Sequence, residues 1–515
     1  MNTSEGLDRL PQNAVAIIGA GPAGLVAANY LKRHGFDPVI FEASNSIGGQ
    51  WNTSSPLSGV WPGMRTNTSR VLTAFSDLDH APGTSVYPSH ADMLVYLHRY
   101  ADTSGLSAHL RLSTLVEVLE RLPDSGWIVR SRNGGALRSE LFQRVVVATG
   151  RFTAPAVPEI AGLAGFAGAL GLTHSFNYPG AAAFRDKRVL VAGCSISALE
   201  IASELATSGA RKVIVASRRQ RYVLQKLLAG VPADHVAFTR FAARAGEVFP
   251  PEALAAGLKN LVVGHCGSPE QFGAPKPDDN IFVAGLTQSQ SYLGLVAEGR
   301  ISARPWVDSI DGNSVRFSDG DTEEVDAILL GTGYSLALPF VSREIAETLG
   351  LDGQHIDLYD HTFHPQLDGL GFVGLYPQVG PYFPVLELQA RWLSYVWAGL
   401  SPAPSTAQMD TGLSAAKARR GGPQEMPMHA MARLFARHAG VEPDPENWPE
   451  LGRALLFGPL SPASFRLEGA DRLPEAAART LVAAEAFGAV TSNVPTPQEA
   501  AQLAALRAAA DAKAA

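Results

Sequence analysis

Residues 14–24 read Ala-Val-Ala-Ile-Ile-Gly-Ala-Gly-Pro-Ala-Gly, an apolar run that passes into three spaced glycines. The run predicts a buried parallel strand, because strands covered on both faces are continuously apolar. Gly19 permits a tight turn, Gly21 lets the backbone approach a pyrophosphate, and Gly24 lets a helix pack closely on the strand. We therefore predict a nucleotide at the start of the next helix, where free N–H groups face the phosphates.

A second strand completes this unit. Apolar side chains recur at helical spacing after Gly24, and residues 38–41 then read Pro-Val-Ile-Phe and end at Glu42. The whole pattern predicts a βαβ unit of about 30 residues. Glu42 lies 18 residues after Gly24, where a carboxylate can accept hydrogen bonds from ribose hydroxyls.

A second glycine-led turn lies further along the chain. Residues 188–193 read Arg-Val-Leu-Val-Ala-Gly, and apolar residues at helical spacing follow them. Ser195 and Ala198 take the places of the second and third glycines, and Ser195 adds a hydroxyl that can bind phosphate. Because two dinucleotide sites in one chain favour electron transfer between two dinucleotides, the pair predicts a flavoenzyme.

The strand after the second turn ends without an acidic residue. Residues 213–219 read Val-Ile-Val-Ala-Ser-Arg-Arg. A ribose 2′-phosphate repels a carboxylate and attracts a guanidinium, so Ser217, Arg218 and Arg219 favour NADPH over NADH. A solvated arginine pair is the alternative interpretation.

Two further apolar strands predict where the chain passes between domains. Residues 145–150 read Val-Val-Val-Ala-Thr-Gly, and residues 327–334 read Ala-Ile-Leu-Leu-Gly-Thr-Gly-Tyr. Each strand runs into a turn of small residues. The pattern predicts an α/β fold with two Rossmann-like dinucleotide-binding domains, the second inserted within a discontinuous first domain.

The predicted first domain comprises residues 1–182 and 325–515, and the inserted domain comprises residues 183–324. An Ala-rich helical extension begins at about residue 400. Thr496-Pro-Gln-Glu499 is typical of a helix start within it. Packing on the core, dimerisation as a homodimer and a frayed tail are all open for this helix.

The bulk composition excludes several classes of function. A net charge of −7 gives no basic surface for nucleic acid. Two cysteines build neither a disulfide framework nor a thiolate metal cage, and thirteen histidines show no ligand spacing, so we predict no metal site. The first thirteen residues are polar, and no apolar run reaches the ~18 residues of a membrane span. We expect a cytoplasmic protein that does not bind a membrane.

These motifs together resemble those of the flavin-containing monooxygenases over residues 14–400. Residues 42–51, Glu-x5-Gly-Gly-Gln-Trp, are similar to the family's second FAD segment, and Thr66-Asn67 is similar to its active-site Asn segment. Two further segments are similar to segments of these enzymes: residues 96–101 (Tyr-Leu-His-Arg-Tyr-Ala) and residues 384–392 (Pro-Val-Leu-Glu-Leu-Gln-Ala-Arg-Trp).

The resemblance implies FAD in the first domain and NADPH in the inserted domain. It also implies a C4a-hydroperoxyflavin, formed with O₂, that oxygenates an amine nitrogen or a sulfide sulfur of a small molecule. Asn67 is the predicted catalytic residue, because a neutral amide can hydrogen-bond the oxygenated flavin without introducing a charge. Capping a turn is the alternative role. The predicted cofactor-binding residues are Gly19, Gly21, Gly24, Glu42, Gly49, Gln50, Trp51, Thr66, Val116, Gly193, Ser195, Ser197, Ser217, Arg218, Arg219 and Gln378.

One segment departs from the family pattern. Five residues separate Phe166-Ala-Gly168 from His174, whereas the family has three. Tyr178 falls where the related Baeyer–Villiger enzymes carry tryptophan, which favours nitrogen or sulfur oxygenation.

Other functions fit parts of the pattern. A Baeyer–Villiger or an N-hydroxylating monooxygenase is the closest alternative. A disulfide reductase shares the two-dinucleotide plan, but neither Cys194 nor Cys266 has a partner cysteine nearby in the sequence. A non-catalytic flavin- or NADPH-binding protein is the alternative from a different class, since Ser195 and Ala198 replace glycines.

Overall fold

The computed structural model describes residues 7–122 and 126–514, and its first sheet is built around the strand that precedes the first glycine turn. Every residue of this strand is buried, as expected at the centre of a parallel sheet. All neighbouring pairs in the sheet are parallel. In spatial order its strands are Leu370–Phe372, Arg144–Val147, Ala14–Ile18, Asp37–Phe41 and Leu110–Arg111.

The second sheet repeats this plan around the strand that precedes the second turn. It is also five-stranded and parallel, with that strand in third place. Its strands are, in spatial order, Gly171–His174, Ala327–Leu330, Arg188–Ala192, Lys212–Ser217 and Ile301–Pro305. The predicted α/β fold with two Rossmann-like units is confirmed, and both glycine turns lie at carboxyl ends of parallel strands, where such folds bind ligands.

The second sheet includes strands on both sides of the predicted 183–324 range, and that range stays a prediction for the inserted domain. Gly171–His174 and Ala327–Leu330 pair with each other, and the latter also pairs with Arg188–Ala192. The physical reason is burial: Ala327–Leu330 is fully buried and needs a strand on each side to pair its backbone groups. The residues between Phe166 and His174, more numerous than in the family pattern, include this edge strand.

The two segments that cross between the sheets run side by side. Ala154–Pro155 pairs antiparallel with Tyr334–Ser335. The rings of Phe152 and Tyr334 also meet edge to face, with centroids 5.6 Å apart. The two crossings therefore form one connection between the two sheets.

Smaller sheets and strand pairs complete the β structure. An antiparallel meander lies in the sequence between the first-sheet strands Leu110–Arg111 and Arg144–Val147, and an antiparallel three-stranded sheet precedes the second crossing. The meander strands are Thr114–Leu122, Gly126–Asn133 and Ala136–Phe142, the last also pairing with Asp8–Arg9, and the three-stranded sheet comprises Val307–Asp311, Ser314–Phe317 and Thr322–Glu324. The smaller pairs are Tyr222–Leu224 with Leu286–Gln288, Leu227–Leu228 with Val231–Pro232, and Gln378–Val379 with Met426–Pro427.

Helices cover the faces of both sheets. The helix after the first glycine turn, Pro22–Arg33, packs against Phe383–Trp397 in the largest hydrophobic core. The α-helices are Pro22–Arg33, His90–Thr103, Ile196–Thr207, Ala233–Ala237, Arg240–Val248, Pro251–Cys266, Ile281–Ala284, Tyr292–Ala297, Arg343–Thr348, Phe383–Trp397, Thr406–Ala418, Met428–His438, Gly452–Phe457, Ala476–Glu485 and Pro497–Ala514. No helix in residues 7–122 or 126–514 combines the length and apolar character that crossing a membrane requires.

Much of the chain after residue 400 packs into the same hydrophobic core as the Pro22–Arg33 helix. Met428, Met431 and Phe435 are buried beside the first-turn helix and its partner. The last helix begins at its predicted cap, since the Glu499 backbone N–H donates to Thr496 Oγ1 at 3.2 Å. It packs against the Arg240–Val248 helix. Most of its other residues are exposed.

A buried polar network fixes this C-terminal part to the first-turn helix. Arg466 Nη1 donates to Tyr30 Oη at 2.7 Å, and to Ser76 Oγ and Asp77 Oδ1 at 2.9 Å each. Tyr30 Oη in turn donates to Glu387 Oε1 at 2.7 Å. Because these groups are buried, each needs its partner, and losing one would leave a charge without compensation.

Candidate active site at the seam between the two sheets

The first glycine turn is packed so closely that side chains are excluded from it. Gly19 has φ +107°, and a Cβ on Gly24 would lie 1.8 Å from the Gly19 carbonyl oxygen. Gly49 meets the same turn from the other side, since a Cβ on it would lie 2.9 Å from the Gly21 Cα. These glycines therefore form a cradle of backbone without side chains, and a single Cβ would clash within it. Such a surface suits the close approach of a pyrophosphate.

Glu42 ties this turn to the strand that follows it. Its buried carboxylate accepts the Ala20 N–H and the Ser44 N–H, each at 2.8 Å. The Thr114 N–H donates to the Glu42 carbonyl oxygen at 2.8 Å, which brings the meander and its buried Val116 to this corner. Each carboxylate oxygen keeps a further lone pair, so the predicted ribose contact stays compatible with this arrangement.

Gly49, Gln50 and Trp51 form a single helical turn that lies against the crossing. Gln50 Nε2 donates to the Phe152 carbonyl oxygen at 3.2 Å. Trp51 is half-buried and packs on the hydrophobic core that contains the Pro22–Arg33 helix. The predicted second FAD segment is thus fixed at the seam between the two sheets.

The Asn67 segment carries an unpaired buried acceptor. The Thr66 backbone N–H donates to the Pro88 carbonyl oxygen at 2.9 Å. The Thr66 hydroxyl donates to the Thr68 carbonyl oxygen at 2.8 Å. Asn67 Oδ1 is buried without a hydrogen-bond partner. It therefore caps no turn, and such an atom is uncommon in a folded protein unless a ligand or water pairs with it.

A second orphaned amide oxygen belongs to Gln378. Its Oε1 is buried without a partner, while its Nε2 donates to the Pro381 carbonyl oxygen at 2.7 Å. It lies shortly before the Phe383–Trp397 helix begins. A flavin ring has an N–H donor, so these acceptors and the glycine cradle fit FAD.

The second glycine turn is equally close-packed. Gly193 has φ +131°, and a Cβ on it would lie 2.3 Å from the Gly331 carbonyl oxygen. A Cβ on Gly331 would lie 2.7 Å from the Ala198 Cβ. Ser195 is the exposed N-cap of the Ile196–Thr207 helix and makes no side-chain cap bond, so its hydroxyl is available to a phosphate. Ser197 is half-buried in the first turn of that helix.

The strand end predicted to select NADPH has two arginines in different surroundings. Ser217 is buried, whereas both arginines are exposed. The Arg218 guanidinium carbon lies 4.9 Å from the centroid of the Trp306 ring. Arg219 Nη1 donates to the Val283 carbonyl oxygen at 2.8 Å. Each arginine is held by the protein, and neither behaves as a simple solvated side chain.

Residues 12–486 match the protein family described as FMO-like, flavin-binding monooxygenase-like. The chain belongs to this family. It is 28% identical over 481 residues to the N-oxide-forming dimethylaniline monooxygenase 2 of Oryctolagus cuniculus, covering 88% of each chain. It is 28% identical over 500 residues to flavin-containing monooxygenase 5 of the same organism, covering 92% of this chain and 91% of the relative.

Solved structures have the same fold. S-allyl-L-cysteine S-oxygenase from Allium sativum superposes with a TM-score of 0.63 at 23% identity, covering 96% of this chain and 98% of that one. An open structure of cyclohexanone monooxygenase gives a TM-score of 0.62 at 17% identity, covering 84% and 98%. The predicted membership of the flavin monooxygenases, with FAD and NADPH as cofactors, is confirmed.

Within this flavin-binding monooxygenase, the remaining singled-out residues have structural partners. His174 Nε2 lies 3.1 Å from the Gly333 carbonyl oxygen, and burial lowers the pKa of its imidazole. Tyr178 packs edge to face on Trp61, with centroids 5.9 Å apart. In the described part of the chain no group of three or more His, Cys, Asp or Glu side chains is arranged to hold a metal ion.

Sequence reasoning missed two buried residues that contact the segment following Asn67. Asp234 and His235 lie on the short helix Ala233–Ala237 and contact Ser69, two residues after Asn67. No spacing rule marks such a pair, because its partner is 165 residues away in the sequence. Trp306, which stacks on Arg218, was missed for the same reason.

Proposed function

We propose that this chain transfers one oxygen atom of O₂ to a soft nucleophile, an amine nitrogen or a sulfide sulfur, of a small molecule, and that the first sheet binds FAD and the second NADPH. One observation carries the proposal: an unbroken series of contacts joins the two glycine turns. Gly21 meets Gly49, Gln50 bonds to the Phe152 carbonyl, and Phe152 contacts Tyr334. Three residues before Tyr334, Gly331 packs on the second turn.

This seam suits a reaction in which two dinucleotides must meet. When bound, NADPH supplies two electrons and FAD supplies the reaction with O₂, so that one oxygen atom enters the substrate and the other leaves as water. The protein supplies binding at the two turns, orientation through Gln50, and an uncharged acceptor at Asn67. The rings of Phe152 and Phe176 both meet Tyr334 edge to face and form an aromatic cluster at the seam.

Relatives support the substrate class. The N-oxide-forming dimethylaniline monooxygenases act on a nitrogen, and S-allyl-L-cysteine S-oxygenase acts on a sulfur. The likeness to cyclohexanone monooxygenase concerns the fold. Nitrogen or sulfur oxygenation is therefore the leading function, and Baeyer–Villiger oxygenation is the second candidate.

The test is product analysis with purified, FAD-loaded protein. N,N-dimethylaniline, S-allyl-L-cysteine and cyclohexanone would each be supplied with NADPH and O₂, and products identified by mass spectrometry. We expect an N-oxide or S-oxide formed in step with NADPH oxidation. A lactone from cyclohexanone alone would favour the Baeyer–Villiger function, and no NADPH oxidation in any sample would favour the non-catalytic binding protein.

We also propose a cytoplasmic location and a homodimer. The exposed side of the Pro497–Ala514 helix is available for a second copy. Sedimentation equilibrium of the full chain and of a chain ending at residue 495 would test the dimer. A monomer in both samples would contradict it.

A further inference from the structure

Ser69 is held by two buried ionisable side chains. It is fully buried, and its backbone N–H donates to Asp234 Oδ2 at 2.6 Å. Its hydroxyl lies 3.0 Å from His235 Nε2. Since Ser69 follows Asn67 by two residues, these contacts fix the backbone beside the proposed catalytic amide.

The two side chains come from a distant part of the chain. Their helix, Ala233–Ala237, follows the second-sheet strand Lys212–Ser217 in the sequence. The His235 ring also packs edge to face on Phe487, with centroids 5.2 Å apart. Ser69 is thus the point where the first unit, the second unit and the C-terminal part meet.

This arrangement is costly for a contact that only stabilises the fold. Asp234 and His235 are 2% and 1% exposed, and Asp234 Oδ1 and His235 Nδ1 are buried without partners. In the residues that the structure describes, Asp234 forms no ion pair. A neutral asparagine could accept the same N–H without burying a charge, so an acid at this position indicates a role beyond packing.

The surroundings of the pair contain few compensating charges. Burial raises the pKa of Asp234 to about 6, and burial together with Arg70 lowers the pKa of His235 to about 4. Tyr87 faces Asp234, and burial and this carboxyl raise the pKa of its phenol. Lys226, whose carbonyl oxygen accepts the Ala233 N–H, pairs its ammonium with Glu200 at 3.0 Å.

We propose that Asp234 and His235 are positioning residues that hold the Asn67 segment in its working conformation from the second nucleotide-binding unit. The inference rests on the proposed function, because it assigns Asn67 to the oxygenation site. Burial raises the pKa of Asp234 to about 6, so burying the ionised carboxylate costs free energy that is relieved when the segment opens and exposes it to water. The Asn67 segment is therefore held more firmly below pH 6 than above it.

Two substitutions at one position separate charge from hydrogen bonding. Asp234→Asn keeps an acceptor but cannot titrate, and Asp234→Ala removes the acceptor. The measurement is product and H₂O₂ formed per NADPH between pH 5 and 8, with N,N-dimethylaniline and S-allyl-L-cysteine as probes. In wild type the product share should fall as pH rises through about 6. Asp234→Asn should keep, from pH 5 to 8, the product share that wild type shows at low pH. Asp234→Ala should lose about 10-fold in the ratio of product to H₂O₂.

Hydrogen exchange supplies a readout that does not depend on turnover. Backbone exchange over residues 66–72, corrected for its intrinsic pH dependence, should be faster in Asp234→Ala than in wild type. In wild type it should also be faster at pH 8 than at pH 5, and Asp234→Asn should not show this dependence. Asp357→Asn is the matched control, because Asp357 is also a buried acid but pairs with Arg420, at 2.8 Å, and should leave this segment unchanged.

The outcomes separate the inference from the proposed function. If wild type oxidises neither probe while exchange responds as described, the function fails and the positioning contact stands. If Asp234→Ala keeps the wild-type product ratio, pH profile and exchange at residues 66–72, the positioning role is wrong. Ser69→Ala refines the test: it removes the His235 contact but keeps the backbone bond to Asp234, so it should retain the wild-type pH profile.

Discussion

Replacing Arg218 by alanine should weaken NADPH binding about 10- to 100-fold and leave NADH binding nearly unchanged. The guanidinium lies over the Trp306 ring, 4.9 Å from its centroid, at an exposed strand end. In the described part of the chain it forms no ion pair, so its N–H groups are available to a 2′-phosphate. One charge-assisted hydrogen bond contributes about 1.5–3 kcal/mol, and each ~1.4 kcal/mol is a factor of ten in affinity.

Arg219→Ala should cause a smaller loss. Arg219 already donates to the Val283 carbonyl oxygen, so part of its hydrogen-bonding capacity is used within the protein. The assay is anaerobic reduction of the bound flavin in a stopped-flow instrument, with the dissociation constant taken from the dependence of the rate on NADPH or NADH concentration. Arg316→Ala is the control, because Arg316 is exposed on the same unit and pairs with Asp308. Equal losses for NADPH and NADH at Arg218→Ala would refute the 2′-phosphate role.

Four further outcomes follow from the geometry. Gly24→Ala should give protein without bound FAD, because the new carbon would lie 1.8 Å from a backbone oxygen; full yellow colour would contradict the cradle. Arg466→Met should lower the free energy of unfolding in urea by about 3–5 kcal/mol, since in the described part of the chain it leaves the buried Glu387 carboxylate without an ion pair, and a loss below ~1 kcal/mol would count against the network. Asp234→Asn should be more stable than wild type by up to ~3 kcal/mol at pH 7.5. Folding raises the pKa of Asp234 to about 6, so the destabilisation caused by its charged form grows as pH rises from about 4 to 6. The stability gained by Asp234→Asn should therefore vanish near pH 4 in urea titrations. Asn67→Ala should retain FAD and its reduction by NADPH but yield mainly H₂O₂, and unchanged coupling of NADPH to product would exclude the assigned role.

The parts of the fold that could be predicted are those encoded by local spacing. The Gly19–Gly24 turn, its strand and its helix follow one another within the sequence, so a single window contains the whole unit. The same holds for the second turn at Gly193. By contrast, the edge strand Gly171–His174 has three exposed or half-exposed residues and one buried residue, and it shows no continuous apolar pattern. The sequence alone therefore does not mark this strand as part of the second sheet.

The parts that could not be predicted depend on polar contacts between distant segments. Arg466 meets Tyr30 across 436 residues, and Ser69 meets Asp234 across 165. Such contacts have no sequence period, because tertiary packing alone brings the partners together. The same limit applies to the site. Residue types with a required spacing could be proposed from the sequence, whereas the contacts that surround them appear only in the fold.

The most direct test of the central claim is rapid mixing of NADPH-reduced, FAD-loaded protein with oxygenated buffer, with and without N,N-dimethylaniline or S-allyl-L-cysteine. The flavin spectrum and the products would be followed together. We predict a long-lived absorbing species that is neither reduced nor oxidised flavin, and its decay should be matched by N-oxide or S-oxide formation. Direct return to oxidised flavin with one H₂O₂ per NADPH, in the presence of both probes, would contradict nitrogen or sulfur oxygenation by this chain.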